Sequence, residues 1–519
     1  MAALARADGM SQPCASRRFR REMRGPGSRY GNHGATNRLP EHAEIAISLT
    51  GLHNHISSRK QPKSDSHRHG GAAMDLQGWD VVTASNVAAV NKVLAGSTST
   101  TLPTFSFENT SLAIAMSGDF GPWTIQPGGS ANRINLMVPI TSGTLTAPQF
   151  RAPIDLAGVQ PILNLALVLV AAPSNGTQSL TFAIETNSPR PATKDGDVYV
   201  ANPDASPGHV LKTRDPTGQA AQIFNDWFGE IFVENKDKIS FIFATVIMNP
   251  QGQPWLAPKA ISVSYFESID KKIQALGIQS LTQAPWGAGG LATAVDPSLL
   301  VAGDDYFFAM APAVFLKNLL MPSVVKALGV PASSLRFNAP PNPSQPTACS
   351  ITNTAAIPMG KVHSGAIDYY PELTSYAVKI SGKQIITTAS GRFDITGLHD
   401  AYVTFDNLSV VTEVGYDPKT NQVTFNVVSK SSPSTHEHIP WYEKEITWIV
   451  PVIGLIVNVV MDVVVATIED AVTNALKSSG QFSIDSIPVA TAVWSGLDKF
   501  EASSAELSDA FVIRASGAS

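Results

Sequence analysis

The best candidates for metal chemistry are two histidines in one short segment, His436-Glu437-His438. Two imidazoles two residues apart point to one side of an extended chain, so they could share a metal ion. No third ligand is indicated beside them, and a polar loop before a long helix is the favoured interpretation. The only cysteines, Cys14 and Cys349, are too few for a thiolate metal site or a disulfide framework. We therefore expect neither a metal nor a cofactor.

The second chemical candidate is Asp462, an acid within the apolar run from Ile446 to Leu476. A carboxyl group in apolar surroundings could act as a catalytic acid or base. On a helical wheel, however, Asn458, Asp462, Glu469 and Thr473 fall within an arc of roughly 60°. The favoured interpretation is a polar stripe that faces solvent.

Motifs of the common enzyme classes are absent from the sequence. It contains no GxSxG, GxxxxGK[ST], HExxH or CxxC pattern and no EF-hand loop. The glycine spacing around Trp286 does not fit a dinucleotide-binding fingerprint. Since the carboxylates are scattered without a recognisable acid and base pair, we expect that the protein is not an enzyme.

The apolar run from Ile446 to Leu476 could be a membrane span or the central helix of a fold. It carries no charge before Asp462, and as one helix it would be about 45 Å long at 1.5 Å per residue. Asp462 near its middle would be costly in lipid, and acidic pairs close both ends of the run. We predict a buried amphipathic helix over about 443–478 and no stable transmembrane span.

Charge divides the chain unevenly. Residues 1–73 hold 12 of the 37 Lys and Arg and 5 of the 42 Asp and Glu, so they are net +7 and the remainder is net −12. An acidic body does not suit a polyanionic partner, and we expect no nucleic acid.

The first 73 residues are rich in Arg, His, Ser and Gly and have few periodic apolar positions. We predict a disordered basic leader, with the true start at Met74. No apolar core of a signal peptide follows its basic clusters. The expected location is the cytoplasm on synthesis, with any release or secretion independent of a signal peptide.

Apolar periodicity predicts a few helices. Val87, Val90 and Leu94 recur at helical spacing before Gly96, which indicates a short amphipathic helix that ends there. Residues 219–248 indicate a helix followed by a strand.

A helix pair is predicted over Asp305 to Gly329, interrupted near Pro322. Elsewhere, alternating β-branched runs between Gly and Pro turns indicate antiparallel strands, with hairpin turns near Gly382 and between Asp417 and Gln422. Strands and helices do not alternate regularly, so the predicted class is α+β. The Gly- and Pro-rich segment TQAPWGAGG, 282–290, suggests a boundary between two lobes, 74–290 and 291–519.

Several segments resemble one family. The chain is similar to the clostridial P-47 proteins, encoded beside clostridial neurotoxins and related to the OrfX proteins, from about Gly78 through at least Phe405. The N-terminal block is the most specific part of the resemblance. The similar segments are GWDVVTASNVAAVNKVL from Gly78, FGPWTIQPGGSANRINLMVPITSG from Phe120, IDLAGVQPILNLAL from Ile154 and NKDKISFIFATV from Asn235.

That resemblance implies a two-lobed tubular lipid-binding (TULIP) fold, in which long curved antiparallel sheets wrap around long helices. It also implies an accessory protein of a toxin cluster, with lipid or phospholipid and toxin-complex proteins as expected partners. The family has no catalytic motif to transfer.

The expected interior residues line a seam between helix and sheet that holds lipid, or else fill a packed core. Two alternatives stay open: a structural assembly protein with a packed core and no lipid, and a toxin component that inserts the long helix into membranes. The residues are Ile453, Val457, Val460, Val464 and Ile468 on the long helix, and Val87, Val90, Leu94, Phe224 and Phe228 in the first lobe.

Overall fold

The computed structural model describes most of the chain after residue 73. The described residues run from 74 to 516 with gaps at 173–175, 192–193, 295–298, 300, 302, 442–448, 474–483, 485 and 498–499. The predicted leader, 1–73, lies outside the described residues.

Strands make up most of the secondary structure. Before residue 290 they are β1 (Val81–Asn86), β2 (Thr104–Asn109), β3 (Ile114–Phe120), β4 (Thr124–Ser130), β5 (Arg133–Met137), β6 (Ile140–Thr146), β7 (Ile154–Asp155), β8 (Ile162–Ala171), β9 (Thr177–Ala183), β10 (Thr186–Asn187), β11 (Asp197–Asn202), β12 (Ile242–Ile247), β13 (Ala260–Glu267) and β14 (Gln274–Leu281). After it they are β15 (Tyr306–Met310), β16 (Leu335–Asn338), β17 (Ser350–Asn353), β18 (Ile357–Pro358), β19 (Val362–Ser364), β20 (Ile367–Tyr369), β21 (Glu372–Ser381), β22 (Gln384–Asp394), β23 (Tyr402–Asp417), β24 (Gln422–Lys430), β25 (Ser434–His438), β26 (Ala492–Trp494), β27 (Ala502–Ser508) and β28 (Ala510–Ala515).

Helices are fewer, and most of them are short. They are α1 (Val87–Thr101), α2 (Val210–Arg214), α3 (Gln219–Glu234), α4 (Pro312–Phe315), α5 (Met321–Leu328), α6 (Ile449–Thr473) and α7 (Ser486–Val489), with a π turn at Leu316–Leu320 between α4 and α5. Short 3-10 turns lie at Lys236–Lys238, Pro254–Leu256 and Ala332–Ser334.

The central sheet has six strands in the order β13-β14-β1-β15-β28-β27. Every residue of β15 and β28 is buried, and β1 and β14 are buried except for one residue each. Nearly continuous burial means that both faces are covered, unlike the alternation of a sheet with one solvated face. Helix α1 packs on β1 and β14, and α4 packs on β28. The first, middle and last parts of the described chain therefore meet in this sheet.

Two further sheets are built from the first half of the chain. One has four strands in the order β2-β3-β6-β7. The other has eight, in the order β10-β11-β8-β9-β12-β26, with β5 paired to β8 and β4 paired to β5. Its edge strand β26 comes from the end of the chain, and the Trp494 indole of β26 donates a hydrogen bond to Thr83 Oγ1 of β1 (3.2 Å). Helix α3 packs on β11, β10 and β2.

The remaining large sheet belongs to the second half of the chain. Its order is β16-β17-β21-β22-β23-β24, with β18 beside β21 and β25 beside β23, and β19 and β20 form a separate hairpin. Burial alternates along β22, which is the pattern of a half-buried antiparallel strand. The long helix α6 packs against α5, β23, β24 and β19. In the described part of the chain all strand pairs are antiparallel except β10 with β11, so the α+β prediction is confirmed.

The long helix lies where the apolar run predicted it. Its described part, Ile449–Thr473, falls within the predicted 443–478, and the residues beyond both ends lie outside the described part. Pro451 is the third residue of the described part of α6.

Two local predictions are wrong. Helix α1 continues past Gly96 to Thr101, because a glycine inside a helix costs only about 1 kcal/mol and does not by itself end it. The helix ends shortly before Pro103, which disfavours helical backbone at the residue that precedes it. The predicted helix pair over Asp305 to Gly329 is instead strand β15 followed by continuous helix from Pro312 to Leu328. Residues 306–310 form a strand because they pair with β1 and β28. The helix is not interrupted at Pro322 because this proline follows a π turn, where the helical hydrogen bonds are already displaced.

The two predicted lobes share structure across residue 290. Strands β1, β13 and β14 precede that residue and β15, β27 and β28 follow it, yet all six belong to the central sheet. A hydrogen-bonded joint also ties the second large sheet to the central one, since Gly382 N donates to Asp509 Oδ1 (2.6 Å) and Asp509 N donates to Gly382 O (2.8 Å). The division at 290 stays a prediction, and any two lobes would have to share the central sheet.

Two adjacent valines of α6 provide a test of how the helix packs. Val464 is fully buried whereas Val463 is 40% exposed. Replacing Val464 by Ala removes two buried methyl groups and should lower the free energy of unfolding by about 2 kcal/mol, measured by urea denaturation. Val463→Ala is the matched control, since it changes helix propensity equally, and should alter stability by less than about 0.5 kcal/mol. Equal losses in the two variants would contradict this packing.

Candidate functional site

The predicted interior residues of α6 lie mainly in the core. Val460, Val464 and Ile468 are 0–1% exposed, and they form one face of the helix with fully buried Val472. Val457 is 8% exposed and lies at the margin of a groove described below. The side chain of Ile453 lies outside the described residues. The inward face of the described helix is therefore filled by side chains.

The predicted interior residues of the first half are also buried. Val87, Val90 and Leu94 lie on the face of α1 that packs against the sheets. Phe224 and Phe228 stack on α3 with ring centroids 4.8 Å apart, and both are fully buried.

Phe228 belongs to a larger aromatic cluster. It contacts Phe105, Phe120 and Phe232 edge-on, at centroid distances of 5.9 to 6.3 Å. Trp123 joins this cluster through Phe120 and Phe232. Such close-packed rings leave no room for an acyl chain between α3 and the strands that cover it.

A groove of about 350 Å³ lies beside α6 and is the strongest candidate site on this helix. One wall is the connection from Lys430 to Thr435 between β24 and β25, and the other is the side of α6 from Val457 to Glu469. We call it the α6 groove. Apolar side chains of α6 form part of its floor: Val457, Met461, Val465 and Ala466.

The polar side of the α6 groove is a charged rim. Asn458, Asp462 and Glu469, the stripe predicted on the helical wheel, all line it. Lys430 Nζ lies 2.9 Å from Glu469 Oε1, and this ion pair connects the end of β24 to the helix. Asp462 is exposed, as expected for the solvent-facing stripe. With one cation and two carboxylates, the groove is amphipathic and slightly negative.

Exposed apolar side chains lie near this groove. Val427 and Val428 are more than one-third exposed at the end of β24, and Val463 is 40% exposed on α6, which packs on that strand. Sequence reasoning missed this surface, because the alternation in β24 places Val427 on one half-buried face with Val423 and Phe425. Lys430, Ser431, Ser432 and Pro433 were missed as well, since nothing in their sequence indicates that they face a helix.

The histidine pair lies in a strand and not in a loop, which corrects the prediction for that segment. His436 and His438 belong to β25, which pairs with β23. The His438 ring stacks on Tyr402 with centroids 4.4 Å apart, and its Nε2 lies 3.3 Å from Thr404 Oγ1. Among the described residues, no group of three or more His, Cys, Asp or Glu side chains could hold a metal ion.

Cys349 is not a candidate nucleophile. The thiol is buried at 4% exposure, and burial raises its pKa to about 12. A thiol with that pKa stays protonated at neutral pH and is unreactive.

Two buried carboxylates, Asp204 and Asp215, lie beside a cavity of about 240 Å³ at the start of α2 and α3. Asp204 Oδ2 accepts a hydrogen bond from Leu211 N (2.7 Å), and Asp215 Oδ2 accepts one from Ala220 N (2.6 Å). Burial by itself raises the pKa of each carboxyl group. Hydrogen bonds from Ser206 and Leu211 to Asp204, and from Thr217 and Ala220 to Asp215, outweigh burial and lower both pKa values. These carboxylates cap helices, which accounts for their burial.

No helix within the described part of the chain is long and apolar enough to cross a membrane.

Comparisons with known proteins agree on one family. The sequence profile of the OrfX-like family, described as protein OrfX2/OrfX3/P47, matches residues 76–506. Among solved structures, the chain is similar to P47 from Clostridium botulinum A2, with a TM-score of 0.68, 20% identity, and coverage of 86% of this chain and 99% of that one. It is similar to P47 of Clostridium botulinum E1 with the same TM-score and identity, covering 85% and 99% of the two chains. No curated protein matches the chain in sequence.

The capping role of Asp215 can be tested by pH. A carboxyl group whose pKa is lower in the folded than in the unfolded state stabilises the fold at pH values above the unfolded pKa of about 3.9. That contribution is lost as pH falls through the folded pKa. Asp215→Asn should therefore lower the free energy of unfolding at pH 7 by about 1 kcal/mol, and the difference from the wild type should shrink below about pH 4.

The control for this measurement is Asp237→Asn, since Asp237 is an exposed carboxylate in the short turn after α3. It should leave stability within about 0.5 kcal/mol of the wild type at pH 7. A loss in Asp215→Asn that stays constant from pH 7 to pH 3, measured by urea denaturation, would rule out the capping role.

Proposed function

The chain belongs to the family of OrfX2, OrfX3 and P47 proteins, and on that premise we propose that it is a non-enzymatic accessory protein that binds a lipid in the α6 groove. The observation that carries this proposal is the groove itself, because it combines an apolar floor with a charged rim along the longest described helix. Partners within a toxin complex are part of the same proposal.

The size of the α6 groove limits what it can hold. Its volume of about 350 Å³ lies at the lower end of ligand pockets, which run from roughly 300 to 1,000 Å³. That is room for one acyl chain or part of one, and too little for a whole diacyl phospholipid. The lining of Val457, Met461 and Val465 suits a hydrocarbon chain, and Met in particular adapts to flexible apolar ligands.

The charge of the rim limits which headgroup charges the groove can accept. Asp462 and Glu469 outnumber Lys430, and Lys430 is already paired with Glu469. A strongly anionic headgroup would be repelled at this rim, whereas a neutral or cationic one would not. A single-chain amphiphile without a negative headgroup is therefore the favoured ligand class.

A second candidate function is an assembly protein with no lipid. The observation that favours it is the tight packing of the inward face of α6 and of the aromatic cluster around Phe228. With the interior full, exposed Val427, Val428 and Val463 would then be covered by a protein partner.

Native mass spectrometry of the purified chain separates the two functions. We expect the protein to bind lysophosphatidylcholine, a single-chain lipid with a zwitterionic headgroup, at 1:1 stoichiometry. Ala466→Phe fills the α6 groove, because Ala466 lines it, and should weaken binding at least tenfold. Val463→Phe is the control, since it places the same aromatic ring at an exposed position of α6 that does not line the groove, and it should bind as the wild type does.

Absence of binding to the wild type would reject the lipid function and leave the assembly function. Wild-type affinity in Ala466→Phe would place the lipid somewhere other than the α6 groove.

A further inference from the structure

A smaller cavity, remote in sequence from α6, has the chemistry of a binding site for a compact zwitterion. It has a volume of about 160 Å³ and lies between Asp80, which directly precedes β1, the segment 283–286, α4 with the π turn that follows it, and residues 337–340 at the end of β16. We propose that it binds a small molecule that carries a methylated ammonium group and a carboxylate or phosphate. This inference does not depend on the proposed function, since the cavity shares no residue with the α6 groove.

The site for the cation is Asp80. This carboxylate is only 3% exposed and lines the cavity. Its Oδ2 accepts hydrogen bonds from the backbone N–H groups of Thr282 (2.7 Å), Gln283 (2.7 Å) and Ala284 (2.8 Å). Three such donors hold the side chain in place.

The second oxygen of Asp80 is left for a ligand. In the described part of the chain, all hydrogen bonds to this carboxylate go to Oδ2. Within the described residues no protein donor reaches Oδ1, so this oxygen is left for water or for a cation in the cavity. A cation beside a carboxylate that is 3% exposed would be attracted more strongly than one in bulk water.

The apolar walls indicate what kind of cation fits. Trp286 and Phe337 line the cavity together with Pro285, Pro340 and alanines. The indole of Trp286 donates a hydrogen bond from Nε1 to Gly78 O (2.9 Å), which fixes the ring. Aromatic faces attract ammonium groups, and methylated ones best match an apolar wall because they need no hydrogen bonds. A divalent metal ion fits poorly, since it requires several oxygen ligands and the lining offers one carboxylate.

Lys317 indicates that the ligand also carries a negative charge. It lines the same cavity from the π turn Leu316–Leu320, and no ion pair of its ammonium group is found within the described residues. Single π turns occur often at functional sites, where they change the direction of a side chain. One acidic and one basic side chain on the lining favour a zwitterion over a simple cation.

Volume sets the upper limit on the ligand. A cavity of about 160 Å³ holds about five water molecules at about 30 Å³ each, which limits the ligand to a compact molecule of fewer than about ten non-hydrogen atoms. Acyl chains and nucleotides are too large. Glycine betaine, with a trimethylammonium group joined to a carboxylate by one methylene, matches both the size and the charges.

A competing explanation gives Asp80 a purely structural role. By accepting N–H groups of 282–284, it ties the segment TQAPWGAGG to β1, and the cavity is then an incidental space. That explanation predicts no ligand selectivity.

Isothermal titration of the full chain with glycine betaine tests the proposal. The compound 3,3-dimethylbutyrate has the shape and carboxylate of betaine but lacks the cation, and choline keeps the cation but lacks the carboxylate. We expect betaine to bind at least tenfold more tightly than either analogue. Equal affinity for betaine and 3,3-dimethylbutyrate, or no binding of betaine, would overturn the proposal.

Two variants locate the binding. Ala313→Leu fills the cavity from α4, leaves Asp80 itself unchanged, and should abolish betaine binding. Circular dichroism and the midpoint of unfolding check that this variant is folded. Lys317→Met removes an exposed cation and should reduce the preference for betaine over choline to less than threefold. Betaine binding that survives Ala313→Leu in a folded protein would overturn the assignment to this cavity.

The same zwitterionic chemistry could be free in solution or part of a lipid headgroup. Flotation with phosphatidylcholine vesicles that is lost in Ala313→Leu would assign a lipid headgroup, whereas betaine binding without flotation would assign a free zwitterion. Ala466→Phe serves as the independent control, because it blocks the α6 groove and should leave betaine binding unchanged.

Discussion

The central sheet is the constraint on which the rest of the structure depends. Strands β1, β15 and β28 lie side by side in it although they come from the start, the middle and the end of the described chain. Both faces of the sheet are covered, so the backbone groups of these strands have to be paired within the sheet. Arg514 of β28 is almost fully buried and pairs with Glu506 of the edge strand β27 (2.5 Å), so its buried charge is compensated by a carboxylate. Since the pairing is distant in sequence, the sheet can be completed only when the last strands have returned to it.

Both candidate sites depend on this arrangement. The Asp80 cavity depends on the central sheet, because Asp80 directly precedes β1 and its carboxylate holds residues 282–284 through hydrogen bonds. The α6 groove is connected to the central sheet less directly. Helix α6 packs on β23 and β24, and their sheet is joined to the turn between β27 and β28 by the hydrogen bonds between Gly382 and Asp509. A rigid scaffold with two sites on its periphery suits a binding protein, in which the ligand-contacting groups are held in place before the ligand arrives.

Several elements could be predicted from the residues because their cause is local. The apolar run after Ile449 has helical periodicity and a polar stripe, so both the helix and the solvent side of Asp462 were predictable. The hairpin turn at Gly382 follows from glycine between two alternating runs. Other elements have a cause that is distant in sequence. Residues 306–310 form a strand because β1 and β28 pair with them. His436 lies in a strand because β23 pairs with the segment that contains it. The segment 282–290 has the composition of a linker, but contact with Asp80 makes it the wall of a cavity.

The sequence by itself determined the class of fold, the family, the long helix and the buried character of Val464, Ile468 and Phe228, since these depend on periodicity and residue type. Only the tertiary structure decided that the inward face of α6 is packed while an open groove lies on its polar side. It also decided that Asp80, Trp286, Lys317 and Phe337 line one cavity. The physical reason is that burial preference is a property of each residue, whereas the empty space left between elements depends on how strands that are far apart in the chain align.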